Sequence, residues 1–496
     1  MAKNGYKKNI LYNAVYRCVV IITPLITSPY LARVLGADKL GIYSYANAFA
    51  TYFVIFSLLG VADYGNRTIA QVRDDRGKLS DSFWQIYWLQ MFLTVILSVV
   101  YFIWVAASGK YAKVQLVFGI YVLSSLFEVN WFAFGMEEFR LTSIRSIVTR
   151  LGIVICILLF VKKPDDVWKY ALITQAGNVV SQLVVLPLVF KHTDFRAPDF
   201  RAMLGHLKPN IILFLPVIAT SVYQQLSKII LSAWSTEAEV GFFQNAENIV
   251  TLPTFITTAI ITVMLPYASN LVARGEENEN RTLLYSMLKY TSILNIAMAF
   301  GLFAIAGDFI PWYLGADFSR SAVLVMMLTP MVFFNGFSGI MRYQYIIPNG
   351  MDRVNLVSMF TGAGVDILLS VILVPGFGAS GAAIATVAAY GMTMVVQVWC
   401  TRERQSSGNV SGSGAGLDFR YALRSFAPAF AFGAVMLAAV KGVSRICGAL
   451  PSVVTVMIEL AAGGGVFIAL TVVWLEKSGD HVFTDMVKGL TGRLKK

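Results

Sequence analysis

The chain has 496 residues, of which 57% are hydrophobic and only 14% charged, with a mean hydropathy of +0.65. Soluble domains carry about 25% charged residues, so a soluble enzyme, a secreted disulfide scaffold and a disordered chain are all excluded. The net charge of +12 then reads as the basic inner face of a membrane protein rather than as a nucleic-acid surface, and no nucleic acid is expected.

Lys3, Lys7 and Lys8 precede an apolar run from Asn9 to Gly36. That run is too long for a signal-peptide core and no small-residue cleavage site follows, so it is expected to be the first membrane span. A span needs about 20 mostly apolar residues. Fourteen such stretches are expected, centred near Ile22, Phe53, Leu93, Leu123, Ile155, Val180, Ile218, Ile260, Ala297, Met331, Leu368, Val387, Val435 and Phe467. The loops between them are too short for a separate soluble domain. Cys18, Cys156, Cys400 and Cys447 are scattered without disulfide or zinc spacing, and the three histidines do not cluster, so neither a metal nor a cofactor is expected.

The distribution of Lys and Arg tests the count, because inner loops of membrane proteins are enriched in both. With the N-terminus inside, 28 of the 40 cations fall in inner segments and 10 in outer ones, which puts both termini in the cytoplasm. The two left over, Arg17 and Lys228, fall within spans.

The sequence also repeats. Gly41-Ile-Tyr-Ser-Tyr-Ala-Asn47 opens the second span and Gly241-Phe-Phe-Gln-Asn-Ala-Glu247 the eighth, 200 residues later, each after a short acidic outer loop. Six spans lie between the copies, so they share one orientation, as in parallel-repeat transporters. The expected architecture is all-α and polytopic, with two pseudo-symmetric six-helix lobes around a central cavity and two further helices. Residues 1–200 form the N-lobe with spans one to six, and residues 201–404 the C-lobe with spans seven to twelve. A Gly/Ser linker occupies 405–416, and spans thirteen and fourteen with a basic cytoplasmic tail occupy 417–496.

Several motifs resemble those of a known family. Pro29-Tyr-Leu-Ala-Arg-Val-Leu-Gly-Ala-Asp-Lys-Leu-Gly-Ile-Tyr-Ser-Tyr45 is similar to the signature between the first two spans of bacterial polysaccharide flippases. These are the Wzx-like O-antigen and capsule repeat-unit transporters of the multidrug/oligosaccharidyl-lipid/polysaccharide superfamily. Tyr64-Gly-Asn-Arg67, with Arg73-Asp-Asp-Arg76 behind it, resembles their first cytoplasmic loop, and Val129-Asn-Trp-Phe-Ala-Phe-Gly-Met-Glu-Glu-Phe-Arg140 their fourth-span motif. Gly362-Ala-Gly-Val-Asp366, Leu373-Val-Pro375 and Gly378-Ala-Ser-Gly-Ala-Ala-Ile-Ala-Thr386 look like the family's eleventh and twelfth spans, with Asp366 and Ser370 standing where asparagine is common. The resemblance implies the MATE-like superfamily fold. It also implies a substrate: an undecaprenyl-diphosphate-linked oligosaccharide carried from the inner to the outer leaflet of the cytoplasmic membrane. A polysaccharide polymerase is a further partner it suggests.

Such a headgroup cannot cross hydrocarbon unaided, because its charges and hydroxyls lose their water partners. A wet cationic cavity would serve, with Arg or Lys on the diphosphate and hydroxyl and amide groups along the sugar path. Arg17 shares a helical stripe with Asn13, Pro24 and Ser28, and reads as a diphosphate contact rather than a snorkelling cation. Lys228 lies on a second stripe with Ser221, Gln225 and Ser232, and reads equally as a contact or as an interfacial anchor below Trp234. Arg140 and Arg342, near inner span ends, are candidates for capturing the diphosphate beside their default roles in topology and lipid contact. Asn13, Asn47, Ser221 and Gln225 are expected to line the cavity. Glu128, Glu247 and Asp366 are candidates for coupling to H+ or Na+, with interhelical hydrogen bonding as the alternative for each. Glu247 is expected to share a face with Thr251, Thr254 and Thr258, and Asp366 with Asn355, Ser358 and Gly362.

No phosphate-binding G-x-x-x-x-G-K-S/T loop and no Ser-His-Asp set occurs, so the reading is a secondary transporter with no catalytic residues. The alternatives are a peptidoglycan-precursor flippase or a drug/cation antiporter of the same superfamily, and then a membrane glycosyltransferase or polymerase.

Overall fold

A computed structural model describes residues 2–402, 417–447, 452–480 and 483–484, with side chains from residue 19 onward except that of residue 21. The expected linker 405–416 lies outside the described residues. The described chain is all-α, its one departure being an isolated bridge between Arg402 and Leu417. That is the form hydrocarbon imposes, since each backbone N–H and C=O must find its partner within its own segment.

Among the described residues, twelve helices are long and apolar enough to cross a membrane, or thirteen segments if the bent pair Ala316–Leu328 and Pro330–Ile346 is one span. All fourteen expected centres fall within these segments, those near Ile22 and Phe53 sharing one. The shared segment, Ile22–Val72, overlaps the 57-residue helix Ala2–Leu58. At about 1.5 Å per residue that helix is about 85 Å long, against about 30 Å of hydrocarbon, more than a single crossing needs. Its one non-helical residue is Gly36, at φ 74° and ψ 172°, where a side chain would be strained. Pro24 and Pro29 sit inside the same helix without interrupting it. Other breaks within apolar segments include Ser125–Val129 and two π-helical turns, Val222–Leu226 and Met341–Ile346.

Large apolar side chains face outward, as a lipid-facing surface requires: Val263 is 75% exposed and Ile103 63%. Polar ones turn inward. Gln90, Thr94 and Ser98, four residues apart on helix Arg76–Ser108, are all buried.

The described chain forms two compact units, Met1–Asn245 with Ala363–Ala385, and Ala246–Gly362 with Thr386–Lys496. Within the first unit the sequence repeat meets itself. A Cβ on Gly41 would lie 1.8 Å from the Glu237 carbonyl oxygen, and one on Gly241 would lie 2.1 Å from the Ala37 carbonyl oxygen. These contacts are reciprocal across the 200-residue offset, as a local two-fold relation demands. The first-loop and fourth-span motifs also pack together. Gly65 lies flat on the Trp131 ring, and Arg73 pairs with Glu137 at 2.7 Å. Trp131 further stacks on Phe83 with ring centroids 5.3 Å apart, which makes it a packing residue of this unit.

In the second unit, helix Glu277–Leu314 packs against Pro330–Ile340, Pro428–Cys447 and Ser452–Lys477. Asn295 on it accepts from Thr257 at 2.6 Å, and Gln344 reaches the Ile261 carbonyl at 3.0 Å. At the end of Ser452–Lys477, Asp480 accepts from Lys289 and Tyr290. Burial pushes the Asp480 carboxyl up, but these donors and the Phe483 N–H outweigh it and hold the pKa down to about 2.

Candidate functional site

The segment Leu207–Trp234 winds as a π turn from Val222 to Leu226, in the middle of an apolar span. Such turns interrupt the regular ladder of hydrogen bonds and recur at functional sites. Just beyond this one the chain brings together two buried ionisable residues. Ser227 donates to Asp366 Oδ2 at 3.1 Å, and the next residue, Lys228, donates from Nζ to the Gln224 carbonyl at 2.6 Å. Asp366 is fully buried and Lys228 only 5% exposed. A buried ammonium thus lies one residue along the helix from a serine that bonds a buried carboxylate on another helix.

The rest of the expected stripe belongs to the same locus. Ser221 is buried, and its carbonyl accepts from the Tyr52 hydroxyl at 3.2 Å. Gln225 keeps a buried Oε1 with no donor. Ser232 is held from the other end, where Lys110 Nζ donates to its carbonyl at 2.8 Å and to its hydroxyl at 3.0 Å. Nearby, Tyr111 donates to Glu237, and that hydrogen bond keeps the Glu237 carboxyl below the usual range. Asn47 is half-buried on the helix that carries Tyr52.

Glu128 is part of a second polar centre in the first unit. It ends the 3-10 turn Ser125–Phe127 in an extended conformation, before helix Asn130–Gly135 begins. The break frees backbone groups that side chains then satisfy, as buried irregular backbone in a membrane requires. Gln90 donates to the carbonyls of Ser125 and Glu128 at 2.7 and 2.8 Å. The Glu128 carboxylate accepts from the Asn130 N–H and from Gln182 Nε2, each at 3.0 Å. Arg145 donates to the Asn130 side chain and to the Ser181 carbonyl, each at 2.8 Å.

The remaining expected residues lie apart. The side chains of Asn13 and Arg17 are outside the described set. Arg140 is exposed on the first turn of helix Phe139–Phe160. Arg342 belongs to the second unit and to its π turn, with a buried Nε that has no acceptor and its guanidinium 5.2 Å from the Tyr343 ring centroid. Glu247 is buried in helix Glu237–Thr251, but that helix stops at Thr251 and a new one starts at Thr254. Its expected threonine face is therefore broken. Along helix Asp352–Phe377, by contrast, Asn355, Ser358, Gly362 and Asp366 form one continuous buried stripe.

Sequence reasoning missed Arg145, Gln90 and Gln182 as parts of the Glu128 centre. A lone amide in an apolar span was the available signal for the two glutamines. Arg145 had none, because its position near an inner span end already accounted for its charge.

Comparison with known proteins places this geometry in context. The family model described as "Polysaccharide biosynthesis protein" matches residues 6–272. A putative O-antigen transporter of Escherichia coli (strain K12) is 23% identical over 394 residues, spanning 78% of this chain and 94% of that protein. Among solved structures, the lipid II flippase MurJ in an inward closed conformation superposes with a TM-score of 0.74 and 13% identity. It covers 94% of this chain and 99% of its own. An inward-facing multidrug resistance transporter of the MATE family and MOP superfamily gives 0.59 with 14% identity, over 78% and 97% of the two chains. At these identities the two structures establish the fold alone.

Proposed function

The chain belongs to the polysaccharide biosynthesis protein family, and from that premise we propose that it is a flippase for undecaprenyl-diphosphate-linked oligosaccharides. It works in a bacterial cytoplasmic membrane with both termini inside, as the excess of Lys and Arg in the inner segments supports. Its fourteen crossings include two made by the helix bent at Gly36. The likeness to an O-antigen transporter supports a transporter rather than an enzyme.

The observation that carries the reading is that Lys228 and the carboxylate Asp366, which its neighbour Ser227 bonds, are both buried beside the π turn. Lys228 is the diphosphate contact. In the resting protein its charge is balanced by Asp366, and an arriving diphosphate takes over that role. Protonation of Asp366, or a sodium ion on it, would favour the exchange, which is how an ion gradient would couple to alternating access. Arg17, Arg140 and Arg342 assist capture and passage of the same anion. Asn13, Asn47, Ser221 and Gln225 line the way for the sugar, and Glu128 and Glu247 are further coupling candidates.

The test is complementation of a strain lacking its own flippase. Lys228→Gln and Arg17→Gln should abolish surface glycan while protein levels in the membrane stay normal. Export persisting in both variants would remove the diphosphate assignment.

A further inference from the structure

Two acids that the transport reading leaves unused meet in the second unit. Asp308 lies on helix Glu277–Leu314 and Glu459 on helix Ser452–Lys477, 151 residues apart in sequence. Each is about 9–10 Å inside the end of its helix, counted by helical rise. Glu459 is fully buried, and neither of its carboxylate oxygens accepts a well-formed hydrogen bond from a described group. What its carboxyl faces is the Asp308 carboxyl and the Ser444 hydroxyl, the latter donating to Asp308 Oδ2 at 3.1 Å.

The ion pairs identified among the described residues join no cation to either acid. On the adjoining helix Pro428–Cys447, Lys441 and Arg445 are exposed, and among the described residues neither pairs with either acid. On the segment that follows Leu314, Asp317 is exposed and Arg320 is half-buried. The remaining charges of Ser452–Lys477, Glu476 and Lys477, lie at its opposite end. Lys289 and Asp480 are likewise near the opposite ends of their helices and bonded to each other.

We propose that Asp308 and Glu459 form a proton-binding site that holds one proton between the two carboxyls. Two adjacent carboxylates in an apolar setting cannot both stay ionised, and a shared acid proton gives the unpartnered Glu459 oxygens their missing bond. A proton suits the site better than a metal ion. Sodium would require a shell of several oxygens, whereas the groups that meet here among the described side chains are two carboxyls and one hydroxyl. The proton joins the Glu277–Leu314 helix to Ser452–Lys477, so its loss would place two like charges across that packing. This assignment concerns the ion and not the cargo, and it stands whatever the transported molecule is.

The experiment uses the full chain in liposomes and reads the infrared carbonyl band of protonated carboxyls. Wild-type protein at pH 7 should show a band that is absent from both Glu459→Gln and Asp308→Asn, one protonated carboxyl per chain being lost in each. Replacing choline chloride by sodium chloride at fixed pH should leave the band unchanged. The proposal is overturned if wild type and Glu459→Gln give the same band. It is equally overturned if the band survives in Asp308→Asn, which would mean one isolated neutral acid, or if sodium abolishes it. Because the two variants are read separately, failure of one to fold still leaves the other to decide.

Discussion

The reciprocal glycine crossing makes a quantitative prediction. In Gly41→Ala the new methyl would start 1.8 Å from the Glu237 carbonyl oxygen, and in Gly241→Ala 2.1 Å from that of Ala37. Both obstacles are backbone, so neither can swing aside as a side-chain tip would. The helices must part by about 1 Å, and overpacking of this kind costs about 1–3 kcal/mol. The same crossing carries both contacts, since a Cβ on Gly41 would also lie 3.1 Å from the Gly241 nitrogen. Once one alanine has opened it, the second finds room already made. The double variant should therefore cost less than the sum of the singles, by about 1 kcal/mol or more. Unfolding free energies in bilayers, measured for all four members of the cycle, give the coupling directly. Additivity within about 0.5 kcal/mol, or a single alanine that costs nothing, would refute a shared reciprocal contact.

Three further outcomes follow. Glu128→Gln replaces an acceptor of two hydrogen bonds with a group that presents an amide NH2 on one side, so about 1–3 kcal/mol of stability should be lost; an unchanged melting temperature would contradict the bonding described. Arg145→Lys cannot reach the Ser181 carbonyl and the Asn130 side chain together, and should destabilise where Arg140→Lys, at an exposed position, does not. The Asp480 carboxyl is depressed from 3.8 to about 2, so its stabilising contribution is complete above pH 3.8 and disappears as pH falls through about 2. Asp480→Asn should accordingly lower the melting temperature at neutral pH, the gap to wild type closing as the pH approaches 2, and a gap independent of pH would count against the linkage.

Spans were legible because their signal is local: a run of apolar residues about as long as the bilayer is thick. The repeat was legible for the opposite reason, since Gly41 and Gly241 must both stay small to let two backbones touch. Asp366 and Lys228 could each be found by their charge in an apolar stretch, yet nothing local said that Ser227 would bring their helices together. The π turns were invisible, because a widened turn is settled by tertiary packing and has no composition of its own. Breaks could be expected at prolines such as Pro24 and Pro29, but the chain bends at Gly36, where positive φ rather than a missing N–H does the work. Arg145 illustrates a further limit. Counting cations by loop assigns a residue to a side of the membrane, whereas this guanidinium turns into the protein toward Asn130 and Ser181.

The central claim is translocation itself. Purified chain should be reconstituted into liposomes loaded on one leaflet with a fluorescent undecaprenyl-diphosphate oligosaccharide, and accessibility of the sugar to an external glycosidase followed over time. The account predicts protein-dependent exposure of the protected pool, lost in Lys228→Gln. Exposure no faster than in protein-free liposomes, or undiminished by that substitution, would contradict it.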